Sequence, residues 1–166
     1  MPMLDALRQK HGVELQLGAL PGVVLADATR LRQVLLNLLS NAIKFTEHGS
    51  VGFQVEVQPG ATDGAIELVF TVRDTGIGMS AESVARLFER FFQVESRLNR
   101  RRGGSGLGLN ISRALAELMG GSLQVESREG QGSTFTLRLP TTVEASITPC
   151  FVNTAPPPAV GAERPP

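Results

Sequence analysis

The sequence predicts an α+β domain. Three patterns point to it: five short stretches that read as strands, two strongly amphipathic helices set between them, and glycine-rich breaks where one element gives way to the next. In chain order, Val13 to Gly18 (VELQLG) alternates apolar and polar residues, as a half-buried strand does. Asp27 is placed to cap a helix starting near Ala28 that reads ATRLRQVLLNLLSNAIKF. Leu31, Leu35, Leu38, Ala42 and Phe45 give it an apolar stripe at helical spacing. Ser50 to Gln58 alternates again. Pro59 to Gly64 is a turn-rich break, and Ala65 to Arg73 (AIELVFTVR) is the next strand. A glycine-containing loop, Asp74 to Met79, leads to a short helix over Ala81 to Phe88. Phe88 to Ser105 has no clear period and reads as a long loop. Gly106 to Met119 is the second strong helix, with Leu107, Ile111, Leu115 and Leu118 as its core positions and Gly120-Gly121 as its stop. Ser122 to Ser127 and Ser133 to Leu139 close the list of strands around a Glu-Gly-Gln-Gly turn.

From Thr141 the character changes. The last 26 residues hold six of the ten prolines and no periodicity, which predicts a linker or disordered tail over 141–166. The 166 residues therefore divide into a 1–12 connection, one domain over 13–140, and the tail. Net charge is zero, with 16 basic and 16 acidic residues, which argues against a dedicated nucleic-acid binder. The single cysteine, Cys150, allows no internal disulfide. No apolar run reaches the roughly 20 residues of a membrane span, and Met-Pro-Met-Leu-Asp lacks the features of a secretory signal. A cytoplasmic location with no direct membrane contact is the expectation. The cations are 14 Arg and two Lys, so the position of Lys44 is notable.

Three segments carry chemistry. On the first helix Arg30, Gln33, Asn37, Asn41 and Lys44 line the side opposite the leucines. Asn is a poor mid-helix residue, so two of them one turn apart suggest a site. Amide oxygens can ligate a hard cation such as Mg²⁺, and a Lys ammonium can meet phosphate. Taken alone, the face reads equally as solvated helix with two tolerated Asn. The second segment, Asp74-Thr75-Gly76-Ile77-Gly78-Met79, follows a strand. Its carboxylate can accept from an exocyclic amine such as that of adenine, and its glycines let backbone approach a ligand. Gly76 to Ala81 also fits the Gly-x-Gly-x-x-Ala dinucleotide fingerprint. That reading needs an acidic residue ending a next parallel strand, and Glu95 is followed instead by an arginine-rich loop. The third segment, Gly103-Gly104-Ser105-Gly106-Leu107-Gly108-Leu109, opens the second helix, where free N–H groups and the helix dipole favour an anion. No Gly-x-x-x-x-Gly-Lys-Ser/Thr motif occurs, so a P-loop is excluded.

Together these segments resemble the catalytic ATP-binding domain of sensor histidine kinases, in the superfamily shared with DNA gyrase B, Hsp90 and MutL. Leu31 to Thr46, with Asn37, Asn41 and Lys44, is similar to that family's asparagine box. Asp74-Thr-Gly76-Ile-Gly78 is similar to its first glycine box, Leu87-Phe88-Glu-Arg-Phe91-Phe92 to its phenylalanine box, and Gly104-Ser-Gly106-Leu-Gly108-Leu to its second glycine box. Gly130-Gln-Gly132-Ser133-Thr134-Phe135 resembles a late Gly-Ser/Thr motif beside the adenine. The resemblance implies a two-layer α/β sandwich of the Bergerat type, with a mixed, mainly antiparallel sheet covered on one face by helices. It implies ATP and Mg²⁺ as ligands. Asn41 would bind the metal with Asn37 in support, and Lys44 would contact phosphate. Asp74 would read the adenine amine with Gly76, Gly78 and Thr134 nearby. Gly104, Gly106, Leu107 and Gly108 would wrap the phosphates. Residues 88–105 would be a lid, with Arg97 and Arg100 to Arg102 facing either the phosphates or an adjacent module.

One residue discriminates within the superfamily. Its ATP-hydrolysing members typically carry a Glu base at the position of Asn37, and an amide cannot act as that base. This favours transfer of the γ-phosphoryl to a histidine over hydrolysis. The acceptor helix itself is absent: His11 and His48 both sit in turn-like contexts. The implied partners are therefore ATP or ADP and a histidine-bearing dimerisation domain of a larger kinase. The tail either leads to a response-regulator receiver domain or ends the protein, and the parent kinase is free to be membrane-anchored. The competing expectations are an ATPase conformational switch and a nucleotide-binding regulatory module without transfer.

Overall fold

The computed structural model describes residues 14–17, 27–63, 65–92 and 108–142. They form β1 (Glu14–Leu17), α1 (Ala28–Lys44), β2 (Ser50–Pro59), β3 (Ala65–Asp74), α2 (Ala81–Arg86), α3 (Gly108–Leu118), β4 (Ser122–Arg128) and β5 (Gly132–Thr142). The five strands make one sheet in the order β1-β2-β3-β5-β4. β1 runs parallel to β2, and every other pairing is antiparallel. The sheet is mixed and mainly antiparallel, as expected. The expected connection over 1–12, residues 93–107 (which hold Gly104, Gly106, Leu107 and, of the lid expected over 88–105, all but its first five residues), and the chain from 143 onward lie outside the described residues.

α1 starts where the sequence places it. The Asp27 carboxylate accepts a hydrogen bond from the Arg30 N–H at 3.0 Å, which satisfies one of the free donors of the first turn. Asp27→Ala is expected to cost about 1 kcal/mol of stability, read as a lower urea midpoint with unchanged m-value. The buried arc of α1 is wider than the predicted stripe. Val34, Leu38, Leu39, Ala42 and Ile43 are buried, whereas Leu31, Leu35 and Phe45 are half-buried. α1 packs on both the sheet and α3, so two adjacent sides of it lose water rather than one.

α3 needs a larger correction. Its buried residues are Ser112 and Ala116, flanked by the half-buried Leu109, Leu115 and Met119. Ile111 and Leu118, predicted as core, are 42% and 67% exposed. The helix is turned so that its small residues, not its largest, meet α1. Small side chains at the seam allow the two helices to approach, and close packing there outweighs the extra apolar area of Ile111 and Leu118. α3 stops at Gly120, in a left-handed conformation (φ 77°), with the Gly121 N–H donating to the Ala116 carbonyl at 2.9 Å.

The helices cover one face of the sheet, where Val51, Leu68, Val72 and Leu137 are fully buried and Phe53 stacks on Phe70 at 6.5 Å. The other face is polar. Arg138 bridges from β5 to Glu67 at 3.0 Å and to Gln58 at 3.4 Å. β5 runs to Thr142, three residues past the predicted strand end and across the expected 140/141 boundary. Pro140 is tolerated because β4 pairs with β5 only as far as Arg138, so no β4 partner is deprived of a donor.

Candidate functional site

Three chain segments converge at one end of the sandwich: the C-terminus of α1, the loop after β3, and the β4–β5 turn. The α1 end is joined to the loop directly. The Ile77 N–H donates to the Phe45 carbonyl at 3.2 Å, and the Thr75 N–H to the Ser50 carbonyl at 3.1 Å. On the far side the Gly130 N–H donates to the Ile77 carbonyl at 2.7 Å, and Met79 N–H to Ser127 Oγ at 2.9 Å. The loop is thus clamped between a helix end and a hairpin. Gly76 and Gly78 are both required by closeness. A Cβ on Gly76 would strike the Phe45 carbonyl, and one on Gly78 the Arg128 carbonyl.

Asp74 is the last residue of β3 and is 5% exposed. Its Oδ1 accepts from the Gly76 N–H at 2.9 Å and from the Ser133 N–H at 3.3 Å. No described residue donates to Oδ2. Among the described residues no fully buried side-chain oxygen or nitrogen lacks a partner, so Oδ2 opens to solvent. Burial pushes the Asp74 carboxyl above the ordinary aspartate range, against the opposing pull of the Gly76 and Ser133 N–H groups. The result is a fixed, recessed acceptor with one oxygen held and one oxygen available.

Ser133 and Ser127 belong to this arrangement, and sequence reasoning missed the role of both. Ser133 pairs with Asp74 across the β3–β5 ladder, so both side chains lie on the helix-covered face. Ser127 Oγ is 2.9 Å from Ser133 Oγ and donates to the Gly132 carbonyl at 2.9 Å. Thr134, predicted to be beside the ligand, is one residue further along β5. It pairs with Arg73 and Glu126, both exposed, on the opposite face of the sheet. Period-two alternation therefore puts Ser133, and not Thr134, on the same face as Asp74.

On α1, exposure falls along the polar face. Arg30 and Gln33 are exposed, but Asn37, Asn41 and Lys44 are half-buried. Lys44 Nζ lies 5.0 Å from the centre of the Phe45 ring. The Asn41 amide makes no hydrogen bond to any described residue. Asn37 Nδ2 donates to Ser112 Oγ on α3 at 2.8 Å. Gly108, the first residue of α3, faces Asn37 so closely that a Cβ would lie 2.6 Å from Asn37 Oδ1. Among the described residues of the predicted site, Asn37, Asn41 and Lys44 follow one another along α1 with Gly108 against Asn37, Asp74, Gly76 and Gly78 lie in the loop bonded to the α1 end, and Thr134 lies on the opposite face of the sheet.

The phenylalanine segment is split. Leu87 is buried and Phe88 packs on the core, held by Asn110 Nδ2 donating to the Phe88 carbonyl at 2.8 Å. Phe92 lies 4.6 Å from the Arg86 guanidinium, and Phe91 is 72% exposed.

This fold and this end-of-sheet site define an ATP-binding module of the gyrase and histidine kinase type, and residues 26–143 match the family described as histidine kinase-, DNA gyrase B- and HSP90-like ATPase. The chain belongs to that family. It is 42% identical over 139 residues to the sensory/regulatory protein RpfC of Xanthomonas campestris pv. campestris, covering 84% of this chain and 19% of that protein. It is 48% identical over 128 residues to the circadian input-output histidine kinase CikA of Synechococcus elongatus, covering 77% and 16%. The chain therefore spans less than a fifth of the length of these relatives. Among solved structures it resembles full-length ShkA in complex with AMPPNP (TM-score 0.70, 35% identity, 87% of this chain and 29% of that one). It also resembles the mycobacterial sensor histidine kinase MprB (TM-score 0.65, 28% identity, 86% and 92%).

Proposed function

We propose that this chain is the catalytic ATP-binding domain of a sensor histidine kinase, which binds Mg·ATP and donates the γ-phosphoryl group to a histidine on a separate dimerisation domain. The observation that carries the reading is Asp74: a recessed carboxylate with Oδ1 held by two backbone donors and Oδ2 open, a fitted acceptor for the adenine amine. The likeness to ShkA, solved with AMPPNP, supports the same ligand class.

The residues present fit a magnesium ion carried by the nucleotide. Asn41 offers a half-buried amide oxygen with no partner among the described residues. No group of three or more His, Cys, Asp or Glu that could hold a metal is present among them either. Such a site suits Mg²⁺, which commonly takes phosphate oxygens, water and only one or two protein ligands. Bound there, the ion would neutralise phosphate charge. Asn41 would hold it, and Lys44 would add a point charge to the phosphates. Gly108, with Gly104, Gly106 and Leu107 before it, would bring backbone N–H groups and the α3 dipole to the same anion. The imidazole nitrogen forms a bond to Pγ as the Pγ–O bond to ADP breaks. A neutral imidazole needs no base in this domain, which agrees with an amide at position 37. An ATPase switch would need a base at that position, where Asn37 instead spends its N–H on Ser112.

In this reading residues 1–12 connect to the dimerisation domain, the catalytic domain runs from 13 to the end of β5 at Thr142, and the tail beyond it is a linker, with a receiver domain as the candidate further on. No described helix is long and apolar enough to cross a membrane, in keeping with a cytoplasmic module of a parent that is itself free to be membrane-anchored. The isolated chain is expected to bind ADP and AMPPNP by calorimetry, and to acquire no phosphate from labelled ATP. Adding a histidine-bearing dimerisation domain in trans should yield acid-labile phosphate on that domain. Absence of nucleotide binding would reject the proposal.

A further inference from the structure

We infer that Ser112 is a positioning residue for nucleotide-bound metal, acting through Asn37. The inference rests on the ATP-binding reading above and deepens it. Ser112 lies in the second turn of α3 and is 2% exposed, among the most completely buried polar residues described. A buried hydroxyl in a helix–helix seam is costly unless it is hydrogen-bonded. Its partner is a side chain on another helix: Asn37 Nδ2 donates to Ser112 Oγ at 2.8 Å, across 75 residues of sequence.

The contact fixes more than a distance. An asparagine amide presents a donor end and an acceptor end, and rotation by half a turn exchanges them. With Nδ2 committed to Ser112, Oδ1 is turned to the start of α3. There it meets Gly108, where even a methyl group would come within 2.6 Å. The oxygen therefore faces the helix end at which phosphate and metal are expected, beside Asn41 one turn further along α1. Loss of the Ser112 hydroxyl frees the amide to rotate and to offer N–H groups to a cation. Ser112 also ties the first turns of α3 to α1, so Gly108 at the start of α3 is held against the asparagine face.

A role of this kind has a signature that simple packing lacks. It affects binding of metal-loaded nucleotide and spares binding of nucleotide without metal. The experiment compares the full chain and its Ser112→Ala and Ser112→Cys variants by calorimetry with ADP, in excess Mg²⁺ and in EDTA. For Ser112→Ala the gain in affinity conferred by Mg²⁺ is expected to shrink about 10-fold, as for loss of one hydrogen bond to a charged or ligating group. Affinity in EDTA should hold within about twofold, and Ser112→Cys, a weaker acceptor of similar size, should fall between. Asn37→Ala should lose the same metal-dependent increment, and Asn37→Ala/Ser112→Ala should lose no more than Asn37→Ala alone. NMR of the unliganded chain supplies a second readout. The Asn37 side-chain amide protons should be slow to exchange in the wild type and fast in Ser112→Ala. An unchanged magnesium increment in both Ser112 variants, or an equal loss with and without metal, would overturn the inference while leaving ATP binding intact. Failure of the wild type to bind ADP under either condition would instead overturn the ATP-binding reading and this role with it.

Discussion

Asp74→Asn is expected to weaken ADP binding on the order of 10- to 100-fold, the range set by loss of a hydrogen bond to a charged group, while the unliganded domain melts at a higher temperature. Both effects follow from the two oxygens of one carboxylate. Oδ1 accepts from the Gly76 and Ser133 N–H groups. In the variant those two donors select the amide oxygen for that place, because an NH₂ group there would leave both N–H groups opposed. The amide nitrogen is then forced into the position of Oδ2, and the site changes from an acceptor to a donor facing the adenine amine. Calorimetry with ADP and IDP tests this directly. The wild type should prefer ADP, and the variant should lose or invert the preference, since the inosine oxygen accepts where the adenine amine donates. Equal losses for both nucleotides would reject the proposed contact.

The stability half has a definite sign. Burial raises the Asp74 carboxyl above the 3.8 of a free aspartate, so the unfolded chain ionises more readily than the folded one. The penalty is absent below the unfolded value and grows as pH rises through the folded value. At neutral pH the wild type carries it and the amide does not. The melting difference between variant and wild type should therefore be largest near pH 7 and shrink on acidification toward 3.8. Nucleotide affinity of the wild type should fall over the same acid range, because a protonated Oδ2 is a donor. The carboxylate is thus a functional group held at a cost to stability.

Local pattern made most of the fold readable. Asp27 and the leucines of α1 mark that helix, alternation marks β2, and the apolar run after the turn-rich break marks β3, each strand within a residue of its ends. What could not be read was orientation set by tertiary contact. The α3 sequence offers Ile111 and Leu118 as core at helical spacing, yet Ser112 and Ala116 occupy the seam. Periodicity identifies an apolar face, but the distance of approach between two helices decides which face is used. The same limit applied to the site. The motif around Gly132 was legible, but whether Ser133 or Thr134 points to Asp74 depends on the β3–β5 register, a long-range pairing. The Asn37–Ser112 contact joins residues 75 apart and had no local signal, since Ser112 is one of several polar residues on α3, beside Asn110, Arg113 and Glu117.

Gly78→Ala is expected to abolish measurable ADP binding and to destabilise the domain by about 2–4 kcal/mol. Two separate penalties meet at this residue. Its φ of 63° lies in the left-handed region, which costs a non-glycine residue roughly 1 kcal/mol. Its Cβ would also be driven into the Arg128 carbonyl, with the Gly132 nitrogen only 3.1 Å away. Neither obstacle is the end of a flexible side chain. Backbone must move, and the backbone that moves is the clamp that sets Asp74: the Gly130 N–H bond to the Ile77 carbonyl at 2.7 Å and the Met79 N–H bond to Ser127 at 2.9 Å. Gly130→Ala separates the two penalties. Gly130 has a similar φ of 76°, but a Cβ there meets nothing within 4 Å. It is expected to cost only the conformational term, about 1 kcal/mol, and to leave ADP affinity within about twofold. Urea unfolding and calorimetry on the two variants measure both quantities. If Gly130→Ala proved as damaging to binding as Gly78→Ala, strain in the turn rather than the fit of the loop against the hairpin would be the controlling term. If Gly78→Ala bound normally, the loop would not be the rigid support that holds Asp74 toward its ligand.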